Sequence, residues 1–418
     1  MEVLKDLPIM AASDVPAPPS PLKGKNAAMV LFSFYPEDPR PRRAAEAMVS
    51  AGMSVDLICI RENKEEARRE VFNGVDIRRV PVNKRRGGVL GYLYQYAAFL
   101  FMSSWIIAVR SLSRRYDLVY VNNMPDFLVL SGLIPKLFGA KVLLDIHDPM
   151  PELMMTIFEL PKEARSVDLL KFEEKWSMWL ADSIVTVNQA CARIFASRSC
   201  PSKKITVVMN SPDEKIFEFR DARPFNGAQR GNKPFVIMYH GSLVERNGLE
   251  LAIKAFARVR ATIPNAELRI YGSRNAFLDR MMESVRSQGM EDSVHYLGPK
   301  PQEKIVEAIE ESDVGVIPNL RSIFTELNTP TRIFEYLALG KPVITPRSPG
   351  ITDYFDDDSL IFFELGDEVD LARKIEFVFN RPDKAVDITK RGQEVHQAHM
   401  WREERLKLIG LMTSLLSS

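Results

Sequence analysis

Cysteine is scarce in this chain: three residues in 418, Cys59, Cys191 and Cys200, with no CxxC pair. So sparse and odd a set argues against a disulfide framework and fits the reduced thiols of a cytoplasmic protein. Histidine is scarce too. None of the five falls at a metal-ligand spacing such as HExxH, so no metal site is expected. An excess of charge of either sign is missing. The 56 Lys and Arg nearly balance 55 Asp and Glu, for a net charge of +1, which gives no global reason to bind nucleic acid. No long apolar core comes after Met1–Lys5, as an export signal would require. Instead Asp14–Pro21 reads DVPAPPSP, a composition that favours extended backbone and buries little, so residues 1–24 form an expected flexible Pro-rich tail.

Apolar material in regular alternation is abundant. Hydrophobic residues make up 46% of the chain, and chains of this length divide into domains of about 100–200 residues. Ala27–Ser33, Val55–Ile60, Val75–Val80, Asp117–Val121, Lys141–Ile146, Ser183–Val187 and Ile205–Met209 read as short strands separated by helical patterns. Near-continuous apolar strands alternating with helices predict a doubly wound parallel sheet. Residues 216–233 are polar and strand-poor, with the composition of a linker. A second series opens at Pro234, with strands at Phe235–Tyr239, Glu267–Tyr271, Val294–Leu297, Val314–Ile317 and Pro342–Thr345. The expected fold class is α/β: two doubly wound Rossmann-like domains, 25–215 and 234–395, facing across a cleft, with a C-terminal helix in 396–418. Open sheets of this kind bind ligands at the carboxyl ends of their strands.

One segment raises the question of a membrane. No charged residue lies between Arg86 and Arg110, and the stretch Val89–Val109 is long enough to span a bilayer, which takes about 20 residues. Gln95, Ser103, Ser104 and three tyrosines interrupt it. It reads as a buried or half-buried domain helix, as a helix lying in the membrane interface between basic flanks (Lys84–Arg86 and Arg110–Arg115), or as a span.

Four motifs could carry chemistry. Thr329–Ile344, TPTRIFEYLALGKPVI, reads as loop, helix, turn and strand. Glu335 lies about one turn into its helix, where a carboxylate could accept two ribose hydroxyls, and the N–H groups at Pro330–Arg332 form a seat for phosphate. Tyr239–Gly248, YHGSLVERNG, joins a strand to a helix. Gly241 and Ser242 permit close backbone approach, and Arg246 offers a planar fork for phosphate oxygens. Leu144–Glu152, LDIHDPMPE, sets His147 and Asp148 at a strand end, able to move a proton or hold a hydroxyl. Phe34–Arg43, FYPEDPRPRR, brings Arg40, Arg42 and Arg43 beside the first strand end, where they could meet a phosphorylated acceptor.

These segments, taken jointly and in order over roughly residues 27–415, resemble the retaining glycosyltransferases of glycosyltransferase family 4, in particular a bacterial branch that builds surface polysaccharides or lipid-linked sugars. TPTRIFEYLALGKPVI resembles the donor-binding segment of that family, YHGSLVERNG its Gly-initiated loop, LRIYGS (Leu268–Ser273) its next strand and turn, and VMNSPD (Val208–Asp213) the end of its first domain. The resemblance implies the GT-B fold, an acceptor-side first domain, and a final helix that packs back on that domain. It also implies sugar transfer from a nucleoside-diphosphate sugar, as co-substrate rather than cofactor, to a glycan or lipid-linked acceptor with retained configuration. A membrane surface is a further expected partner; nucleic acid is not.

Carried over residue by residue, His147, Asp148 and Arg246 would be catalytic, with Arg246 neutralising the leaving diphosphate in place of a metal. His240, Gly241, Ser242, Tyr271, Gly272, Pro330, Thr331, Arg332 and Glu335 would bind the donor, and Arg40, Arg42 and Arg43 would face the acceptor. Two departures stand out. The family pattern of two Glu separated by seven residues has Leu327 at its first position, beside Glu326. The loop positions often occupied by Arg and Lys hold Ser242 and Asn247. Two other readings stay open: a non-catalytic sugar-nucleotide-binding subunit, which these departures motivate, and an epimerase or hydrolase of the same fold.

Overall fold

The computed structural model describes residues 22–63, 65–82, 89–224 and 233–417. Most of the Pro-rich tail, the basic flank Lys84–Arg86 and much of the expected linker lie outside them. The first half places β1 (Asn26–Leu31), β2 (Ser54–Ile60), β3 (Arg69–Phe72), β4 (Val75–Val80), β5 (Leu118–Asn122), β6 (Lys141–Ile146), β7 (Ser183–Thr186) and β8 (Ile205–Val207) in one sheet, ordered β3-β4-β2-β1-β5-β6-β7-β8. Every pairing is parallel except β3 with β4, an antiparallel edge joined through Asn73-Gly74. Its helices are α1 (Pro39–Ser50), α2 (Val89–Ser111), α3 (Leu133–Leu137), α4 (Met150–Phe158), α5 (Arg165–Leu180) and α6 (Gln189–Arg198).

The second half forms a wholly parallel sheet of β9 (Phe235–His240), β10 (Ala266–Tyr271), β11 (Val294–Gly298), β12 (Val314–Val316), β13 (Val343–Pro346) and β14 (Ile361–Phe363), in the order β11-β10-β9-β12-β13-β14. Its helices are α7 (Leu249–Thr262), α8 (Ala276–Ser287), α9 (Gln302–Glu311), α10 (Ile323–Leu327), α11 (Thr331–Ala338), α12 (Pro349–Thr352), α13 (Glu368–Asn380) and α14 (Pro382–Ala398). The fold class expected from the alternation is the one observed.

The local chemistry accounts for several helix starts. Pro39 opens α1, where a missing N–H costs nothing. Asn188 caps α6 by accepting from the Cys191 N–H, and Asn275 caps α8 by accepting from the Leu278 N–H. Strands β1, β5, β6 and β9 are buried almost throughout, as parallel strands covered on both faces must be.

The last helix, α15 (Trp401–Ser417), leaves the second domain and packs on the first. Leu408 and Met412 join the core formed by β1, β2 and α1. Glu404 fixes the crossing: fully buried, it accepts from the Met209 N–H (2.8 Å) and pairs with His399 Nδ1 (3.0 Å) and Lys407 Nζ (2.7 Å). Burial works to raise its pKa, and these bonds more than offset that, leaving it lowered. The expected boundary at residue 396 falls inside α14; the return begins at Trp401.

Among the described residues no helix is long and apolar enough to cross a membrane. α2 buries Phe99 and Ile107 in the first domain's core, so the spanning reading of Val89–Val109 is corrected: one face of the helix is committed to the domain.

Candidate active site

In the second domain the site grows from the ends of β9 and β10. Gly241 (φ +124°) and Gly272 (φ +154°) follow these strands, and a Cβ on Gly272 would lie 2.3 Å from the Gly241 carbonyl oxygen. A Cβ on Gly248 (φ +72°) would lie 1.7 Å from the Pro318 carbonyl oxygen. The loop 241–248 is therefore folded against its neighbours at distances that only glycine permits. Asn247 Nδ2 closes it by donating to the Ser242 carbonyl (2.8 Å), and the Leu320 N–H donates to the Arg246 carbonyl (2.9 Å). Asn247 thus serves the loop's shape. The Arg246 side chain is half-buried and has no hydrogen bond or ion pair among the described residues.

α11 faces this loop. Pro330 stands at its N-cap, and the N–H groups of Thr331 and Arg332 have no acceptor among the described residues, as the first turn of a helix leaves them. The Arg332 guanidinium donates to the His240 carbonyl (2.5 Å) and lies over the Tyr239 ring (5.8 Å). One turn into the helix, Glu335 Oε2 lies 2.7 Å from His240 Nε2; His240 Nδ1 lies 2.9 Å from Tyr336 Oη, which is 3.2 Å from the Met238 carbonyl. Gly315 leaves the room that the Tyr336 ring fills, since a Cβ there would come within 2.3 Å of it. Glu335 therefore spends one oxygen on His240, and Oε1 has no partner among the described residues.

In the first domain the hub is Asp145, near the end of β6. It is buried and takes a two-pronged contact from Arg40 (Nη2–Oδ1 2.7 Å, Nε–Oδ2 3.2 Å) and a hydrogen bond from Tyr120 Oη (2.7 Å). His147 Nε2 lies 3.2 Å from Asp145 Oδ2, off the line of a good hydrogen bond. Burial alone would raise the Asp145 pKa; the Arg40 charge and then His147 drive it far below the carboxylate range. The His147 N–H donates to Asn123 Oδ1 (2.8 Å), and Asn123 Nδ2 donates to the Asp148 carbonyl (2.8 Å), which fixes the loop that carries both residues.

The two halves meet around this site. Asn188 Nδ2 donates to the Leu327 carbonyl (2.8 Å), Asn210 Nδ2 to Thr331 Oγ1 (3.1 Å), and Arg193 pairs with Asp353 (2.8 Å). Burial raises the Asp148 pKa, while the charges of His147, Arg246 and Arg40 pull against it, so the charge of Arg246 in the second domain is felt at Asp148 in the first. The Glu335 charge is likewise felt by Arg43, whose pKa is lowered to about 10, chiefly by burial and then by Arg40.

Some expectations are corrected. The carboxylate beside the His147 ring is Asp145, not Asp148. Asp145 near the end of β6 and His147 just past it are two apart, the spacing that sets side chains on one face of an extended chain, and that was the signal. The three arginines do not form an open phosphate face. All three guanidinium nitrogens of Arg40 are used by Asp145 and by the Val208 carbonyl (2.9 Å). Arg42 pairs with Glu46 and lies over Phe72. Arg43 is buried against Trp401 and donates to Asn210 Oδ1 (2.7 Å). Tyr271 packs its ring into the core around α11 rather than into the cleft. Leu327 packs on the first domain's core, where an apolar contact stands in the place of the pattern's carboxylate. Its neighbour Glu326 lies 3.7 Å from Arg321.

Comparison with known families gives residues 38–211 as a Glycosyl transferase 4-like domain and residues 222–395 as a Glycosyl transferases group 1 domain. The two halves are glycosyltransferase domains. The amylovoran biosynthesis glycosyltransferase AmsK of Erwinia amylovora is 27% identical over 161 residues, 38% of this chain and 37% of that protein. Glycogen synthase of Mycobacterium tuberculosis is 24% identical over 182 residues, 43% of this chain and 40% of that protein. The matched region thus spans less than half the length of these curated relatives. Solved structures agree on the GT-B fold over nearly the whole chain. Sucrose-phosphate synthase from Thermosynechococcus elongatus superposes with a TM-score of 0.74 at 17% identity, covering 94% of this chain and 99% of that one. HepE of Anabaena, in complex with UDP-glucose, gives 0.67 at 14%, covering 93% and 99%.

Proposed function

We propose that the protein transfers a sugar from a nucleoside-diphosphate sugar to an acceptor hydroxyl with retention of configuration. The observation that carries this is the unpaired, half-buried guanidinium of Arg246. It stands on the loop that α11 faces with the open N–H groups of Thr331 and Arg332, and its charge is felt at Asp148 of the first domain. A leaving diphosphate is the anion suited to such a seat. In this reading Glu335 Oε1 takes the donor ribose, and the first turn of α11 and Arg246 take the diphosphate without a metal. His147, held by Asp145, lies beside the transferred sugar. The anomeric carbon–phosphate oxygen bond breaks as the bond to the acceptor oxygen forms on the same face, and the acceptor's proton passes to the departing diphosphate oxygen.

The relatives support the donor class: structures of HepE hold UDP, UDP with glucose, or UDP-glucose, and starch synthase IV of Arabidopsis thaliana holds ADP and acarbose. The match to AmsK, a glycosyltransferase of amylovoran biosynthesis, supports a role in glycan synthesis. Cys59, Cys191 and Cys200 are buried and unpaired, which supports a reducing, cytoplasmic setting. The test is incubation of the protein with UDP-, GDP-, ADP- and TDP-sugars and a panel of glycan and lipid-linked acceptors, with nuclear magnetic resonance of the product's anomeric centre. A product with the donor's configuration is expected. An inverted product overturns retention; nucleotide binding without turnover favours the non-catalytic subunit; turnover of the sugar nucleotide without acceptor favours the epimerase or hydrolase.

A further inference from the structure

The first domain presents a surface that the transfer chemistry does not use. α2 has no charged residue from Val89 to Val109. Its inner face is committed to the core through Phe99 and Ile107, and Arg110 at its end is turned inward onto Asp56 (2.7 Å). The outer face is apolar as well. Tyr94, Phe101 and Trp105 succeed one another along it at helical spacing and Leu112 continues them in the turn that follows, with Trp105 64% and Leu112 81% exposed. At 1.5 Å per residue the helical part of the stripe, Tyr94 to Trp105, runs about 17 Å. The solvent side of a domain helix is ordinarily polar.

Neighbouring helices extend the stripe. α3 packs against α2 and adds Leu137, 85% exposed, and Phe138. Lys136 ties α3 to the end of α5 by donating to the Leu180 carbonyl (3.1 Å), and α5 turns Leu169, Phe172 and Trp179 outward, the last 72% exposed. Together these side chains expose on the order of 1,000 Å², above the few hundred that monomers ordinarily show in one patch. Cations outnumber carboxylates around them. Arg115, Lys162, Arg165 and Lys175 are exposed and Lys171 is half-buried, against the exposed Glu159, Glu163 and Asp168 and the half-buried Glu173; Asp126, Glu152 and Glu174 are buried.

We propose that this face docks on an anionic lipid bilayer, with α2 lying in the interface plane. Apolar stripes bearing Trp and Tyr between cations suit the boundary of headgroups and acyl chains. A second copy of the chain suits it less, because a two-fold contact would set the same cations against themselves. The geometry also gives the docking a use. α4 starts at Met150, next to the His147–Asp148 loop, and ends at the exposed Ile157 and Phe158, about 12 Å away, packed beside α5. Docking therefore brings the cleft to the level of a hydroxyl carried by a lipid-linked acceptor. This last step rests on the transfer reading above; the docking itself does not.

The test is sedimentation of the full chain with phosphatidylcholine vesicles, with and without phosphatidylglycerol, at low and high salt. Binding to the anionic vesicles is expected, weakened by salt. The double variant Phe101→Ser/Trp105→Ser, with its folded circular-dichroism spectrum checked, should bind at least about tenfold more weakly. Leu297→Ser, an exposed change on the second domain, should leave binding unchanged. No binding to anionic vesicles at low salt overturns the proposal, as does undiminished binding by the folded double variant. A wild-type dimer that the double variant turns into monomer, with no vesicle binding, assigns the face to a second copy and also overturns it. Nucleotide-induced thermal shifts are read in parallel: their loss with vesicle binding retained fails the transfer reading alone, and the reverse fails the docking alone.

Discussion

Replacing Glu335 by Gln should weaken nucleoside-diphosphate binding through the ribose alone. In the structure Oε2 is engaged by His240 at 2.7 Å. Oε1, and the remaining lone pairs, are what a ribose would use. A hydrogen bond to a charged group contributes about 1.5–3 kcal/mol and a neutral one about 0.5–1.5. Exchanging the carboxylate for an amide therefore removes about 1–1.5 kcal/mol from each of two hydroxyl contacts. The sum, about 2–3 kcal/mol, raises the dissociation constant by about 30- to 150-fold. Thermal unfolding reads this directly. A diphosphate at 100 times its dissociation constant adds about 2.7 kcal/mol, and the same concentration after a 100-fold loss adds only about 0.4. For domains of this size the midpoint shift falls from about 5–10 °C to about 1 °C. The control is the 2′,3′-dideoxy nucleotide, which lacks both hydroxyls and should bind wild type and variant alike. Equal weakening of both ligands, or of neither, refutes the assignment of Glu335 to the ribose.

Three other outcomes are expected. Arg40→Met leaves Asp145 charged, buried and without its main partner, and should cost about 3–5 kcal/mol in urea unfolding, whereas a loss below about 1 kcal/mol would mean that water reaches the pair. Gly248→Ala meets the Pro318 backbone and a left-handed φ at once, so it should displace the 241–248 loop and lower kcat/KM by about tenfold or more; wild-type kinetics would show that turnover does not need the loop, Arg246 included, in this position. Stability against pH should carry two opposed slopes. Burial raises the Glu173 carboxyl from 4.5 to about 7, so only the folded chain keeps that proton between these values and stability falls as pH rises. Burial lowers His396 from 6.5 to about 4, so the unfolded chain binds that proton first and stability falls as pH drops through this window. Between about pH 4.5 and 6.5, Glu173→Gln should make the slope of stability against pH more positive than that of wild type by about 1.4 kcal/mol per pH unit. An unchanged slope in that variant would refute the assignment.

The parts of the fold that were legible are those in which a local pattern and a tertiary role coincide. Val55–Ile60 and Lys141–Ile146 are apolar because both faces of a parallel strand are covered, and both strands lie where the runs place them. β3 escaped notice because Arg69–Phe72, REVF, has no apolar face to bury: three of its four residues are exposed at the sheet edge. α2 was ambiguous for a physical reason. Its apolar residues surround the whole helix, so periodicity does not say which side meets the core.

The site was legible where one residue acts through its own position and hidden where residues act through pairs far apart in sequence. Glu335 and Arg246 stand out because a helix start and a Gly-initiated loop announce them locally. The pair of Arg40 and Asp145 joins residues 105 apart, and the contact of Asn188 with the Leu327 carbonyl joins residues 139 apart. Read locally, the arginines of FYPEDPRPRR look like free charges on a polar turn. In the fold, α1 begins at Pro39 and carries Arg40 under the sheet's end, where it meets the one buried carboxylate that His147 also faces. The same logic recasts Leu327. As a letter in a motif it is a missing acid. As a side chain packed on the first domain, with its carbonyl held by Asn188, it closes the two halves beside the N-terminus of α11. In the proposed reading the donor seat rests on Arg246, the first turn of α11 and Glu335, and a variant Leu327→Glu would place a carboxylate against an apolar core rather than restore a ligand.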